Sequence, residues 1–112
     1  MEQELFILWT NADPVTAEKM VFMYAGNSIK RKWWDKVTVI IWGATAKLAA
    51  ENADVQKGLE ELRETGVALT ACRACADQLG ATEKLEQMGV EVKYWGEPLT
   101  EIIQSGKKLI TV

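Results

Sequence analysis

The chain has 112 residues, 48% of them hydrophobic, which fits one domain over residues 1–112 with a single core and no room for a second. Its net charge of −3, with no long run of one sign, gives no general attraction to a phosphate backbone, so nucleic acid is not an expected partner. The N-terminus lacks the pattern of a secretory signal, and no stretch approaches the roughly 18 apolar residues of a membrane span, so we expect a cytoplasmic protein without a membrane partner.

Five short apolar runs alternate with helical segments, the pattern of βαβ units that build a mostly parallel sheet. The first strand is predicted at residues 5–9. Asp13 and Pro14 then supply a cap and a first-turn proline for an amphipathic helix that ends near Ser28. The second strand, residues 37–42, is rich in β-branched residues and stops at Gly43.

The remaining elements are predicted in the same way. Helices over residues 45–51 and 54–65 precede a third strand at 67–70, and further helices run from the cysteine pair to residue 80 and from 82 to 89. The fourth strand, 90–94, alternates in polarity, which places it near an edge or on a half-exposed face; a last helix from Pro98 and a fifth strand at 109–112 follow. The expected fold is a three-layer α/β/α arrangement with a mostly parallel five-stranded sheet, flavodoxin-like in general character.

The carboxyl ends of the predicted strands carry the residues most suited to chemistry. Ligands gather at this edge of open parallel sheets, because the loops there meet helix N-termini. Tryptophans lie at the carboxyl ends of three predicted strands and a cysteine lies at that of a fourth, which predicts an aromatic-lined substrate pocket around Cys72. Its predicted wall consists of Trp9, Asn11, Trp42 and Trp95. Large aromatic residues also fill cores and subunit contacts, and that alternative stays open for each of them.

Cys72 and Cys75 are the two cysteines of the chain, and they flank Arg73 and Ala74 in a C-x-x-C segment. A cysteine at the start of a helix meets unpaired N–H groups that favour the thiolate, so Cys72 is predicted to be the reactive sulfur. Arg73 adds a positive charge that could steady a thiolate, a persulfide or an anionic substrate. Cys75 lies one helical turn on and could resolve an oxidised or persulfidated Cys72.

The C-x-x-C spacing by itself serves metal binding, dithiol exchange and sulfur carriage. A closed zinc site needs four ligands, whereas this chain has two cysteines and no histidine, so no metal or other cofactor is expected. Thioredoxin-like exchange suits the spacing, but the pair follows the third predicted strand and lacks the usual aromatic and proline neighbours. Buried cysteines also act as small apolar residues, and this alternative applies most to Cys75.

The segment from Gly66 to Gly80, GVALTACRACADQLG, followed by Gly89-Val90-Glu91-Val92, resembles the DsrE-like small sulfur-relay proteins, including the DsrE/DsrF and TusD types. In single-cysteine sulfurtransferases of this family the sulfur-carrying cysteine follows the third strand. The resemblance therefore implies a persulfide carrier at Cys72, a three-layer fold, and homo-oligomers, often trimers or hexamers. This chain departs from those carriers in its second cysteine, Cys75.

Together these features predict an intracellular sulfur-relay or sulfurtransferase-like protein that holds persulfide sulfur on Cys72. Its partners would be sulfur donor and acceptor proteins or small thiols. The sequence leaves open whether the chain is catalytic. It also leaves two alternatives: a non-enzymatic oligomer that binds a small ligand, and a C-x-x-C redox or metal sensor.

Overall fold

The computed structural model describes residues 2–112, and within them the chain builds a five-stranded sheet. Every neighbouring pair of strands is parallel, and the order is β4-β3-β2-β1-β5. The predicted fold class is confirmed, and the fourth strand lies at an edge as its alternating polarity indicated. The strands are β1 (Glu4–Trp9), β2 (Lys36–Ile41), β3 (Ala68–Cys72), β4 (Glu91–Lys93) and β5 (Lys108–Thr111).

Helices fill the connections between consecutive strands. The first is α1 (Pro14–Thr16), which continues through a π-helical segment (Ala17–Phe22) into α2 (Met23–Lys30). The others are α3 (Ala44–Glu51), α4 (Ala53–Thr65), α5 (Arg73–Gln78), α6 (Thr82–Gln87) and α7 (Gly96–Gln104). The sequence did not predict the π-helical segment.

Short-range chemistry explains several element ends. The Asp13 carboxylate accepts a hydrogen bond from the backbone N–H of Val15 at 2.8 Å and caps α1. Asn52 caps α4 in the same way, and Gly66 ends α4 with φ at 109°, a conformation that favours glycine. The last helix was expected to begin at Pro98 but begins two residues earlier, at Gly96. Pro98 is tolerated in the first turn because the N–H that proline lacks would have no partner inside the helix there.

The third strand extends two residues beyond the predicted end. Residues 67–70 were expected to form it, but β3 runs through Cys72. The added length comes from pairing with β4, in which Thr70, Ala71 and Cys72 lie opposite residues 91–93. Local propensity could not reveal this partner strand, which lies about twenty residues further along the chain.

The two faces of the sheet are covered unequally. Side chains of the helices before β4 pack on one face, around Leu5, Ile7 and the alternate residues of β2. On the other face, α7 supplies the buried helical residue of the cluster, Ile102, and Cys75 of α5 packs against it. The strand order accounts for this: parallel crossovers are right-handed, and the path steps from β1 to β4 in one direction but returns to β5 in the other. We call these the helical face and the α7 face.

Candidate functional site

Cys72 is the last residue of β3 and lies on the α7 face of the sheet. Successive strand residues point to opposite faces, so Thr70, two residues earlier, points the same way. Only 5% of Cys72 is exposed. Its cluster is apolar and consists of buried Phe6, Ile40, Trp95 and Ile102, with Leu8, Trp42, Cys75, Leu99 and Leu109 packed against it. The sulfur of Cys72 is therefore enclosed by hydrocarbon and aromatic walls.

The expected contact between Cys72 and the amides of the following helix is not formed. Cys72 precedes α5 with an extended backbone, φ −69° and ψ 116°, and its side chain makes no capping hydrogen bond to the described residues of that helix. The alternation of β3 turns the side chain toward the sheet face, and this direction leads away from the helix axis. The contact with helix amides that was expected to stabilise a Cys72 thiolate is therefore missing.

Cys75 is the third residue of α5, and its thiol contacts both the Cys72 thiol and the backbone N–H of Gly43. Both cysteines of the described chain are free, and Cys75 is the more exposed of the two. Burial raises the pKa of the Cys75 thiol above its ordinary 9.0; the hydrogen bond with Cys72 adds to this, and the Gly43 N–H opposes it. We call Cys72, Cys75 and the Gly43 amide the dithiol site.

Gly43 joins β2 to α3 and brings a backbone donor to the cysteine pair. Its φ of 67° and ψ of −127° lie in a region that favours glycine. The buried Thr45 hydroxyl holds this loop, because it donates to the Trp9 carbonyl at 2.8 Å and accepts from the Trp42 N–H at 3.0 Å. The ends of β1 and β2 are thereby tied together beside the dithiol site.

Arg73 lies between the two cysteines, but its guanidinium is engaged elsewhere. Nη2 donates to the Val92 carbonyl at 2.9 Å, and the group lies 3.6 Å from the Glu86 carboxylate and 3.9 Å from that of Asp77. These contacts fasten α5 to β4 and α6. Contact between Arg73 and a substrate stays a prediction, whereas its bonds within the chain fix the helix that carries Cys75.

The structure brings two of the three predicted tryptophans to Cys72. Trp42 and Trp95 belong to its cluster on the α7 face, but Trp9 is fully buried on the helical face, with its ring 5.5 Å from that of Phe22. The prediction that Trp9 lines a pocket with Cys72 is therefore wrong. The reason is register: Trp9 pairs with Ile41, and Trp42 is one residue later, which reverses its face.

A buried hydrogen-bond chain fixes the aromatic wall of the site. Trp95 Nε1 donates to Thr70 Oγ1 at 2.7 Å, and this hydroxyl donates to the Glu91 carbonyl at 2.9 Å. Lys93 Nζ lies 4.7 Å from the centroid of the Trp95 ring, within range of a cation–π contact. The indole ring is therefore held from its edge and its face, next to Cys72.

Asn11 lies outside this cluster, in the exposed loop after β1. Its side-chain oxygen accepts from the Asp13 N–H at 2.9 Å, and its backbone carbonyl accepts from Trp9 Nε1 at the same distance. These contacts shape the loop. A role of Asn11 in substrate binding stays a prediction.

Sequence reasoning missed Gly43 and Thr70 as parts of the site. The spacing of Thr70 and Cys72 was a usable signal, because residues two apart in a strand share a face. Gly43 was recognised as a strand exit, but its proximity to Cys75 depends on how α5 packs beside α3, which no local pattern encodes.

The described residues, 2–112, also define what the fold does not present. They contain no group of three or more cysteine, aspartate or glutamate side chains placed to hold a metal ion. None of their helices combines the length and apolar character required to cross a bilayer.

The chain is a small α/β protein with an all-parallel five-stranded sheet, in which Cys72 ends the third strand and Cys75 lies in the helix that follows. It matches the solved structure of a conserved protein of unknown function, BT1422 from Bacteroides thetaiotaomicron, with a TM-score of 0.96 and 36% identity over 98% of this chain and 95% of that chain. It also matches the ychN protein from E. coli, with a TM-score of 0.68, 16% identity and full coverage of both chains; this likeness shows the fold alone.

The profile of the DsrE/DsrF-like family matches residues 3–112. The chain therefore belongs to the DsrE/DsrF-like family, and the resemblance carried by residues 66–80 is confirmed. Among curated proteins, none gives a significant match.

Proposed function

We propose that this protein is a sulfur-relay, sulfurtransferase-like carrier that holds sulfane sulfur as a persulfide on Cys72. The observation that carries the proposal is the contact between two free thiols, Cys72 and Cys75, at the carboxyl end of the sheet. Membership of the DsrE/DsrF-like family, whose general role is sulfur relay, supports the same chemistry.

The walls of the site suit a persulfide. A persulfide is consumed by any thiol that reaches it, so a carrier must restrict access to its sulfur. Cys72 meets this need because Phe6, Ile40 and Ile102 enclose it and Trp95 is fixed beside it. The sulfur transfer needs no oxidant or reductant: a cysteine thiolate attacks the outer sulfur of a donor persulfide, and the donor leaves as a thiolate.

The proposed partners are sulfur donor and acceptor proteins or small thiols. We propose the cytoplasm as the site of action, because a reducing compartment keeps a neighbouring cysteine pair in the thiol form that sulfur transfer needs.

We further propose a homo-oligomer, a trimer or hexamer, with subunit contact through the exposed outer side of α7. Ile103 is 59% exposed on α7, and Tyr94, which precedes this helix, is 68% exposed. Sedimentation velocity should show a larger species for the wild type and a shift to smaller species for Ile103→Glu. The matched control is Gln104→Glu, which adds the same charge at the neighbouring exposed position.

The carrier proposal is tested by loading the protein with glutathione persulfide, alkylating it without a reductant and mapping the sulfur by mass spectrometry. Arg73 separates the two cysteines, so trypsin places Cys72 and Cys75 on different peptides. The Cys72 peptide should gain the mass of one sulfur atom, and Cys72→Ser should lose that gain. An unloaded Cys72 under conditions that load an established carrier would remove the proposal.

A second function, dithiol–disulfide exchange, is favoured by the same thiol contact. A disulfide between Cys72 and Cys75 would then form in glutathione redox buffers at a potential near those of cytosolic exchange proteins. The two functions are separated by the product: exchange gives a bridged pair of peptides, whereas carriage gives a persulfide on an unbridged one.

A further inference from the structure

The two thiols of the dithiol site differ in their access to solvent, and the order is the reverse of their order in the chain. Cys72 is 5% exposed and has apolar residues around it, whereas Cys75 is half-buried on α5. Cys75 also contacts the Cys72 thiol and the Gly43 N–H. A molecule that arrives from solvent therefore meets Cys75 first.

The geometry of thiol exchange makes this order chemically important. The attacking sulfur, the transferred sulfur and the leaving sulfur lie roughly in a line, so the attacking atom needs open space on the side of the donor. A donor protein cannot bring its persulfide in line with Cys72 while Phe6, Trp95 and Ile102 pack around that residue. It can do so at Cys75.

Resting on the proposed carrier function, we propose that Cys75 is the thiol that first accepts sulfur from the donor, and that it passes the sulfur to Cys72 inside the protein. In the first step the Cys75 thiolate attacks the outer sulfur of a donor persulfide; Cys75 becomes a persulfide and the donor leaves as a thiolate. In the second step the Cys72 thiolate attacks the outer sulfur on Cys75, and Cys75 leaves as a thiolate. Each step forms one S–S bond and breaks one, so no oxidant or reductant is consumed.

The contacts of Cys75 suit a transfer station. The Gly43 N–H points at its sulfur and can stabilise the thiolate that leaves in the second step. Arg73 supports the same geometry from a distance, because its bonds to Val92 and Glu86 hold α5 in place. Since burial raises the pKa of Cys75 above the ordinary 9.0, its loading should continue to accelerate as the pH rises past 9.0.

Access is tested first, on the unloaded protein. Limited alkylation with iodoacetamide, followed by tryptic mapping, should label the Cys75 peptide at least about tenfold faster than the Cys72 peptide. Faster labelling of Cys72 would overturn the proposed order, whatever the outcome of sulfur loading.

Transfer is tested by a quenched time course with glutathione persulfide. Cys72→Ser should trap the sulfur on Cys75, and Cys75→Ser should slow the loading of Cys72 by about tenfold or more. The matched control is Ala74→Ser, which places the same hydroxyl at the neighbouring exposed position of α5 and should load as the wild type does. Circular dichroism confirms that each variant is folded.

The outcomes separate this inference from the carrier proposal. If Cys75→Ser loads Cys72 at the wild-type rate, or if Cys72→Ser gains no sulfur on Cys75, the internal transfer is wrong and the carrier proposal stands. If the wild type gains no sulfur at either cysteine, both fall. If the wild type instead yields a Cys72–Cys75 disulfide and free sulfide, the attack occurs at the inner sulfur, and the second step is overturned.

Discussion

Removing the Thr70 hydroxyl should destabilise the wall of the dithiol site more than a surface change of the same kind. Thr70 is 3% exposed, and its Oγ1 both accepts from Trp95 Nε1 at 2.7 Å and donates to the Glu91 carbonyl at 2.9 Å. Thr70→Val keeps the shape of the side chain but removes both hydrogen bonds. The indole N–H then remains buried without its partner.

The cost follows from the unpaired donor. A buried polar group that loses its partner costs roughly 1–3 kcal/mol, and the carbonyl on the edge strand can recover a water, so we expect a loss of about 2 kcal/mol in the free energy of unfolding. For a domain of this size that corresponds to a fall in Tm of roughly 6–12 °C. Trp95→Phe removes the donor itself, so the double variant Thr70→Val/Trp95→Phe should be more stable than the sum of the single losses by about 1 kcal/mol.

Urea unfolding followed by tryptophan fluorescence and by far-ultraviolet circular dichroism measures these differences. The matched control is Thr100→Val on α7, where the hydroxyl donates to the Gly96 carbonyl within the helix and is exposed. That change should move the free energy by less than about 0.5 kcal/mol. A Thr70→Val protein as stable as this control, or single losses that add without coupling, would refute the reasoning.

Three other substitutions test titration, packing and loop geometry. Burial raises the pKa of the Cys75 thiol above 9.0, so above about pH 9 the native state keeps a proton that the unfolded chain releases. The stability contribution is therefore full below about pH 9 and is lost as the pH rises through the folded-state pKa. In urea unfolding experiments up to about pH 10.5, Cys75→Ala should show a smaller decline in the free energy of unfolding than the wild type, and equal slopes would contradict the assignment. Gly58→Ala should lower the free energy of unfolding by about 1–3 kcal/mol, because a Cβ there would lie 2.6 Å from the Phe22 ring. Gly26→Ala, whose Cβ would have its nearest contact at 3.5 Å, should raise the free energy of unfolding by up to about 1 kcal/mol. A lower Tm for Gly26→Ala than for Gly58→Ala would contradict this reasoning. Thr45→Val should lose about 2 kcal/mol, while Thr45→Ser, which keeps the hydroxyl between the ends of β1 and β2, should lose less than half of that in the same assay.

The strands and helices were predictable because their signals are local. The β-branched run of β2, the Asp13 cap and the Gly66 terminator each act within a few residues, and the structure places the elements within about two residues of the expected bounds. The π-helical segment and the extra length of β3 were missed. The extra length of β3 depends on a partner strand distant in the chain, since Cys72 pairs with Lys93 of β4.

The site was predictable only in part, because a strand exit names a position along the chain and not a direction in space. Trp9 and Trp42 both follow apolar runs and were equivalent by sequence. In the sheet their positions differ by one residue of register, which sends Trp9 to the helical face and Trp42 to the face of Cys72. The closeness of Gly43 to Cys75 likewise arises from the packing of α5 beside α3.

The sequence alone determined the α/β class, the number and order of the elements, and the position of a C-x-x-C pair at the end of the third strand, since periodicity, caps and breakers act over short distances. The tertiary structure decided the strand order, the unequal cover of the two sheet faces, and which cysteine meets solvent. Those features depend on which distant residues become neighbours. Cys72 is buried, and Cys75 is the more exposed of the two, because α7 packs on the sheet face that carries Cys72.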